Sequence, residues 1–260
     1  MTDLVARQAT GSVLTITLNS PANANALSAG LLAQLRDALD DALADPGVRV
    51  IVLTGAGRVF CAGADLKEAL TSPGAAAGLM AGLMQELWDS RKPVICRVNG
   101  SARAGGIGLI AACDIAIASE RATFAFSEVR IGLVPAVISV PCLRRMPSRS
   151  AAEYFLTGEV FPASRAAEIG LLTQAVPDAD LDGHTRRFAD LLLRGAPGAL
   201  AGTKAVLREV PAMAFAAGLA NMAELSGSFF ASDEAREGMA AFAAKRDPAW
   251  VRAAGNGTVD

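Results

Sequence analysis

The stretch Arg58-Val59-Phe60-Cys61-Ala62-Gly63-Ala64-Asp65-Leu66-Lys67 decides the fold. It follows an apolar run from Val48 to Thr54, which predicts a buried strand. Small residues then stand where a bulky side chain would block access to the backbone, and Asp65 is predicted to begin a helix. Backbone N–H groups at a helix start have no partner within the helix and attract an anionic oxygen. The stretch therefore predicts one hydrogen-bond donor for an anion such as a thioester enolate.

A second turn of the same kind follows in Val98-Asn99-Gly100-Ser101-Ala102-Arg103-Ala104-Gly105-Gly106-Ile107-Gly108-Leu109. Gly105 and Gly106 remove side chains at the predicted helix start. Two unobstructed N–H groups would form an oxyanion hole, in which the loss of one donor lowers the rate by about 10²–10³. Alternatively, the glycines only let a helix pack closely on the sheet. The spacing leaves both interpretations open.

Composition excludes several classes of partner. The chain has 260 residues, is 52% hydrophobic and carries a net charge of −2, so neither a nucleic acid nor an anionic membrane is expected as a partner. No apolar run reaches the roughly 18 residues that span a bilayer, and the N-terminus lacks an apolar signal core. We expect a soluble, cytoplasmic protein. Four cysteines without close paired spacing and a single histidine argue against a metal site.

Strands alternate with helices through the first half of the chain, from Val13 to Phe126. This order predicts an α/β protein with a parallel sheet and right-handed crossovers. Beyond Ser148 the pattern is almost entirely helical, and only Leu172 to Ala175 predicts a strand. We therefore expect an α/β core over residues 1–195 and a C-terminal helical region over residues 196–260.

Several motifs, in this order and spacing, resemble the crotonase superfamily of enoyl-CoA hydratases and isomerases. They are Phe60 to Lys67, Asn99-Gly100 with Ala104-Gly105-Gly106, Cys113-Asp114-Ile115, and Phe124 with Glu128 and Gly132-Leu133-Val134-Pro135. The resemblance implies a spiral of ββα repeats whose C-terminal helices pack on neighbours in a homotrimer or a hexamer of two trimers. It also implies an acyl-CoA substrate, no separate cofactor, and a carbonyl oxygen held by the N–H groups of Ala64 and Gly105.

The resemblance further implies a set of substrate- and CoA-binding residues. They are Ala24, Ala26, Ala62, Asp65, Leu66, Lys67 and Lys245. Three of them have plainer interpretations. Asp65 fits a helix cap better than a catalytic acid, and Lys67 and Lys245 fit solvated lysines near helix ends.

Glu128 is the predicted acid/base. Hydratases of the superfamily use two glutamates; the position of one is Gly108 here, and the position of the other is Glu128. Because apolar residues surround Glu128 in the sequence, its pKa should be raised, which suits proton transfer near neutral pH. Alternatively, Ser127 caps a helix, Glu128 is a first-turn acid that favours the helix dipole, and Arg130 pairs with it.

These residues predict an enoyl-CoA hydratase-like lyase with Glu128 as its single acid/base. A further, weaker likeness to hydratases of branched acyl-CoA favours this assignment. Two alternatives stay open. A Δ3–Δ2 enoyl-CoA isomerase needs only one base, and an acyl-CoA-binding protein with little turnover would follow from the missing side chain at Gly108.

Overall fold

A computed structural model describes residues 3–72 and 74–253 of the chain. The strands are β1 Val5–Thr10, β2 Val13–Leu18, β3 Val50–Gly55, β4 Val59–Cys61, β5 Val94–Val98, β6 Ser101–Arg103, β7 Ile115–Ser119, β8 Thr123–Ala125, β9 Phe161–Pro162 and β10 Gln174–Val176. The helices are α1 Ala29–Ala44, α2 Leu66–Thr71, α3 Ala75–Asp89, α4 Gly105–Ala112, α5 Ala136–Cys142, α6 Ser148–Thr157, α7 Ala163–Glu168, α8 Leu181–Leu193, α9 Pro197–Glu209, α10 Phe215–Phe230, α11 Asp233–Ala243 and α12 Ala249–Ala253.

The larger sheet has the strand order β1-β2-β3-β5-β7-β10. Its strands are parallel apart from the antiparallel pair β1 and β2. The central strand β3 is buried along its whole length, as expected for a parallel strand covered on both faces. The predicted parallel sheet is therefore confirmed, and β10 begins two residues later than predicted.

The smaller sheet has the order β4-β6-β8-β9. Strands β4, β6 and β8 each follow a strand of the larger sheet directly, so a pair of strands precedes each helical segment. The residue pattern alone predicted one sheet and missed β4, β6 and β9. These strands span two or three residues, which is too short for an alternating pattern to register.

Helix α1 is capped at its start and buried along one face. The Ser28 Oγ accepts from the Leu31 N–H at 3.2 Å and caps the helix. Its apolar face, which includes Leu31, Leu35 and Leu39, is buried in the main core. The helix therefore holds the loop that precedes it, residues 20–28, against the edge of the smaller sheet.

Aromatic packing anchors the segment that leads to Glu128. Phe124 and Phe126 are fully buried. The ring of Phe126 lies 4.1 Å from that of Phe155, and the ring of Phe124 lies 5.8 Å from that of Phe161. Because these rings are locked on both sides, the backbone that follows them starts from a defined position.

The C-terminal helices dock on the core through buried polar contacts. The ammonium of Lys204 on α9 is paired with Asp114 and donates to the Lys92 carbonyl at 3.1 Å. A 3-10 turn over Asp178–Asp180 leads directly into α8. The boundary between residues 195 and 196 stays a prediction, and residues 254–260 of the predicted region lie outside those described. Among the described helices, none has the length and apolar character to cross a bilayer.

Candidate active site

Four of the predicted site residues meet in one cavity of about 340 Å³. Ala64 and Asp65 line it from the turn before α2, Gly105 from the start of α4, and Glu128 from the segment that follows β8. The remaining wall is largely apolar and comes from Leu27, Ala69, Ala76, Ala77, Met80, Leu133, Val134, Pro135, Ala136, Val137 and Ile138. An apolar cavity with a few converging polar groups is the usual form of a small-molecule site.

Asp65 caps helix α2, as its plainer interpretation predicted. Its Oδ1 accepts from the backbone N–H groups of Lys67 at 3.0 Å and Glu68 at 3.3 Å, and its Oδ2 accepts from the Asn23 amide at 2.8 Å. The hydrogen bond from Asn23, followed by the bond from the Glu68 N–H, lowers the pKa of Asp65. A carboxylate held in this way stays ionised and fixes the turn that carries Ala64.

The glycines of the second turn serve close packing as well. A Cβ atom on Gly105 would lie 2.8 Å from the Met80 Cε, and one on Gly106 would lie 2.8 Å from the Cys61 Cβ. The glycines therefore let α4 pack closely, as one of the two interpretations predicted. This packing is compatible with the other interpretation, an oxyanion hole at the same turn. Within residues 3–72 and 74–253, neither the Ala64 N–H nor the Gly105 N–H has a hydrogen-bond acceptor. Both are free to donate to a ligand.

Glu128 lies in a 3-10 helix over Ser127–Ile131. Its Oε2 atom is buried and has no hydrogen-bond partner among the described residues. Burial raises the pKa of the Glu128 carboxyl, and a hydrogen bond from its own N–H opposes that rise in part. A buried carboxyl with an unused oxygen and a raised pKa is the state expected of a group that exchanges protons.

The plainer interpretation of Glu128 is wrong in two details. The 3-10 helix is preceded by Phe126 and has no side-chain cap, so Ser127 is its first residue rather than its cap. The guanidinium Nε of Arg130 donates to the Thr157 carbonyl at 3.2 Å. Among the described residues, no ion pair joins Arg130 to Glu128.

Apolar side chains fill the space next to Gly108. A Cβ atom on this glycine would overlap the Met84 Cε and would lie 2.7 Å from the Ile138 Cγ2. Met84 and Ile138 are themselves buried. Sequence reasoning identified the missing carboxylate but did not find these two residues, because they come from α3 and α5, far away along the chain.

The other predicted CoA-binding residues do not line the cavity. Ala24 and Ala26 lie in the loop before α1, Ala62 lies in the turn that carries Ala64, and Leu66 and Lys67 begin α2. The two segments are joined, since the Ala62 N–H donates to the Ala24 carbonyl at 3.0 Å. Lys67 is exposed. Lys245 is exposed after α11, in a left-handed backbone conformation with φ 52°. The structure therefore groups five of these residues around the Ala64 turn and leaves Lys245 apart.

A third carboxylate, Glu68, also lines the cavity and was not predicted. Both of its oxygens accept from the Ala29 N–H at 3.1 Å, at the start of α1. The predicted helix start at Asp65 places Glu68 in the first turn of α2. Its contact with the Ala29 N–H could not be predicted from the sequence. This carboxylate stabilises the packing of α2 on α1 rather than facing the cavity unpaired. In the described parts of the chain, no cluster of His, Cys, Asp and Glu could hold a metal ion.

Comparison with known proteins relates nearly the whole chain to one family. The sequence profile of the family described as "Enoyl-CoA hydratase/isomerase" matches residues 8–253. The chain is 35% identical over 241 residues to a 2,3-dehydroadipyl-CoA hydratase of Escherichia coli strain K12, covering 91% of this chain and 94% of that protein. It is 37% identical over 252 residues to a carnitinyl-CoA dehydratase of Proteus mirabilis, covering 92% and 95%.

Solved structures agree in fold. A crystal structure of an enoyl-CoA hydratase from Shewanella pealeana matches with a TM-score of 0.90 and 33% identity, covering 95% of this chain and 96% of that one. The predicted fold class, an α/β spiral of ββα repeats, is thereby confirmed.

Proposed function

Since the chain belongs to the enoyl-CoA hydratase/isomerase family, we propose that it is an enoyl-CoA hydratase-type lyase with Glu128 as its single acid/base. The observation that carries the proposal is the buried, unpartnered Oε2 of Glu128 in the same cavity as two free backbone donors. The hydratase and dehydratase names of the relatives support this class of reaction. The substrate is an acyl-CoA thioester.

In the proposed reaction, the N–H groups of Ala64 and Gly105 donate to the thioester oxygen. They stabilise the negative charge that develops there when C3 is attacked. The Glu128 carboxylate accepts a proton from water as the water oxygen bonds to C3, and the same carboxyl then gives a proton to C2 of the enolate. Water is added across the double bond, and Glu128 returns to its starting state.

An isomerase is the second candidate, and the packing at Gly108 favours it. Because Met84 and Ile138 occupy that side, no second carboxylate holds a water molecule there. In isomerisation of a 3-enoyl-CoA, Glu128 removes a C2 proton and returns it to C4. The same enolate forms, and no water is consumed.

The deciding experiment offers the purified protein a 2-enoyl-CoA and a 3-enoyl-CoA in separate assays. Hydration removes the ultraviolet absorbance of the conjugated enoyl thioester, and isomerisation of the 3-enoyl substrate creates it. Repeating the hydration assay in D₂O and locating the deuterium by mass spectrometry tests for protonation of the enolate, since hydration places one solvent hydrogen on C2. Acyl-CoA binding without either absorbance change or deuterium incorporation would reject both enzymes and favour the acyl-CoA-binding alternative.

We also propose that the chain assembles as a homotrimer or as two stacked trimers. The C-terminal helices α10 and α11 expose Phe215, Phe230 and Phe242 at 84%, 69% and 88% of their surfaces. Apolar surface of this kind on neighbouring helices favours association. In a trimer, Lys245 would lie near the CoA of a neighbouring copy. Light scattering during gel filtration should give three or six times the chain mass of 26.6 kDa; a monomer would contradict the proposal.

A further inference from the structure

Asn25 has a completely buried side chain whose amide joins two loops. Its Nδ2 donates to the carbonyls of Ala56 at 2.9 Å, Val59 at 2.9 Å and Phe60 at 3.1 Å. Its Oδ1 accepts from the Ser20 N–H at 2.9 Å. The two N–H groups of the amide thus serve one carbonyl of the β3–β4 turn and two of strand β4, and every polar function of the side chain is used.

The backbone around Asn25 adopts a conformation that L-residues rarely take. Ala24 and Asn25 both have left-handed dihedral angles, with φ 49° and 53°. Such a pair persists only when surrounding contacts hold it, and here the Asn25 amide supplies those contacts. A Cβ atom on Gly55 would lie 3.0 Å from the Nδ2 of Asn25, so the β3–β4 turn closes tightly around this amide.

The same loop holds the Ala64 turn along its length. The Ala62 N–H donates to the Ala24 carbonyl at 3.0 Å, and the Leu27 N–H donates to the Gly63 carbonyl at 2.8 Å. The Asp65 N–H donates to the Leu27 carbonyl at 3.4 Å. Three backbone groups of this turn are thus bonded to the loop, and the Ala64 N–H, which lies between the second and the third, is left free.

We infer that Asn25 is a positioning residue for the Ala64 donor. The inference rests on the proposed function, in which that N–H binds the thioester oxygen. A donor stabilises developing charge best when its direction is set before the reaction begins. Asn25 sets it through the loop over residues 24–27, without contact to the substrate.

The test compares Asn25→Asp with the wild-type protein. Aspartate has nearly the same shape but replaces two donors by acceptors, so it faces three carbonyl oxygens without a hydrogen to share. We expect kcat to fall by about 10- to 100-fold, less than the loss of a whole donor, with KM within about 3-fold. The infrared band of a ¹³C-labelled thioester carbonyl in bound acyl-CoA should move back toward its position in free acyl-CoA, because the hydrogen bond that lowers it is misaligned.

Ser119→Ala is the matched control. Ser119 is a buried polar residue on β7 whose Oγ accepts from the Arg121 N–H at 3.2 Å and is bonded to Asp178. The Ser119→Ala substitution should lower stability without changing the contacts of the Ala64 turn. Both kcat and the position of the carbonyl band should therefore stay at wild-type values. If Asn25→Asp does not fold, Asn25→Ser, which keeps one donor, should show the same band movement to a smaller extent.

The outcomes separate the two proposals. If the wild type neither turns over enoyl-CoA nor lowers the carbonyl band, the proposed function fails and the role of Asn25 fails with it. If binding lowers the carbonyl band equally in the wild type and in folded Asn25 variants, the role of Asn25 is overturned and the proposed function is not. Equal losses of kcat in Asn25→Asp and Ser119→Ala would also overturn it, since general destabilisation would then explain both.

Discussion

Two sides of the cavity differ sharply in chemistry. On one side, Glu128 presents a buried carboxylate oxygen without a partner. On the other, Ile138 lines the cavity and packs, together with Met84, against Gly108 in the first turn of α4. The proposed function therefore places proton transfer at Glu128 alone. The comparison shows that apolar side chains, and not an open space, lie beside Gly108.

The largest effect should come from removing the acid/base side. Glu128→Gln keeps the size of the side chain but cannot exchange a proton, so kcat should fall by about 10³-fold, within the usual contribution of general acid–base catalysis. Steady-state kinetics with the preferred enoyl-CoA would measure this. Binding of a saturated acyl-CoA, followed by calorimetry, should change little.

Glu68→Gln is a control at another carboxylate that lines the cavity. Glutamine keeps an acceptor oxygen for the Ala29 N–H, so we expect kcat to fall by less than about 10-fold, below the range for general acid–base catalysis. Full activity in Glu128→Gln, or an equal loss of kcat in both variants, would contradict the assignment of Glu128 as the acid/base group.

Filling the opposite side should cost stability instead. The methyl group of Gly108→Ala meets Met84 and Ile138, and overpacking of this kind lowers the free energy of unfolding by about 1–3 kcal/mol. Met84→Ala alone leaves a cavity and should cost about 2–5 kcal/mol. The double variant should lose less than the sum, because the new methyl group enters space that Met84 has vacated. Urea unfolding of all four proteins measures the coupling.

Gly78→Ala is a matched glycine control on α3. Nothing lies within 4 Å of a Cβ atom at this position. Alanine should therefore stabilise the helix, by about 0.5–1 kcal/mol. Strict additivity of Gly108→Ala and Met84→Ala would show that the two side chains do not compete for one space.

The pH dependence of kcat/KM tests the protonation state of the Glu128 carboxyl. A general base works as the carboxylate, and burial raises the pKa of Glu128 above its ordinary value of 4.5. As the pH falls through that raised pKa, kcat/KM should fall, with its midpoint above pH 4.5. Binding of a saturated acyl-CoA over the same pH range separates this effect from titration of the ligand. A midpoint at or below pH 4.5 would contradict a desolvated carboxyl.

The smallest effect is on stability. A carboxyl with a raised pKa in the folded state contributes most to stability below its unfolded pKa, and this contribution is lost as the pH rises through the folded pKa. Glutamine does not titrate, so the Glu128→Gln variant lacks this loss of stability with rising pH. Its stability relative to the wild type should therefore increase between about pH 4 and neutral pH, as followed by thermal unfolding. A difference that stays constant over this range would indicate that Glu128 is solvated.

Several features could be predicted from the sequence because their causes are local. The cap at Asp65, the helix over residues 105–112 and the buried strand after residue 48 follow from capping, small residues and apolar runs within about ten positions of each other. The order of the motifs also predicted the family and the repeat architecture. The strands β4, β6 and β9 were missed, since two or three residues carry no periodicity.

By itself, the sequence determined the two donor turns and the glutamate, and it indicated that one carboxylate is absent. Only the tertiary structure decided what surrounds them. It brought Met84 and Ile138 from separate helices into the space beside Gly108, left Glu128 Oε2 without a partner, and closed the β3–β4 turn around the Asn25 amide. These contacts join residues 24 to 35 positions apart in the sequence. The packing of the helices against the two sheets, rather than any local pattern, sets which of them meet.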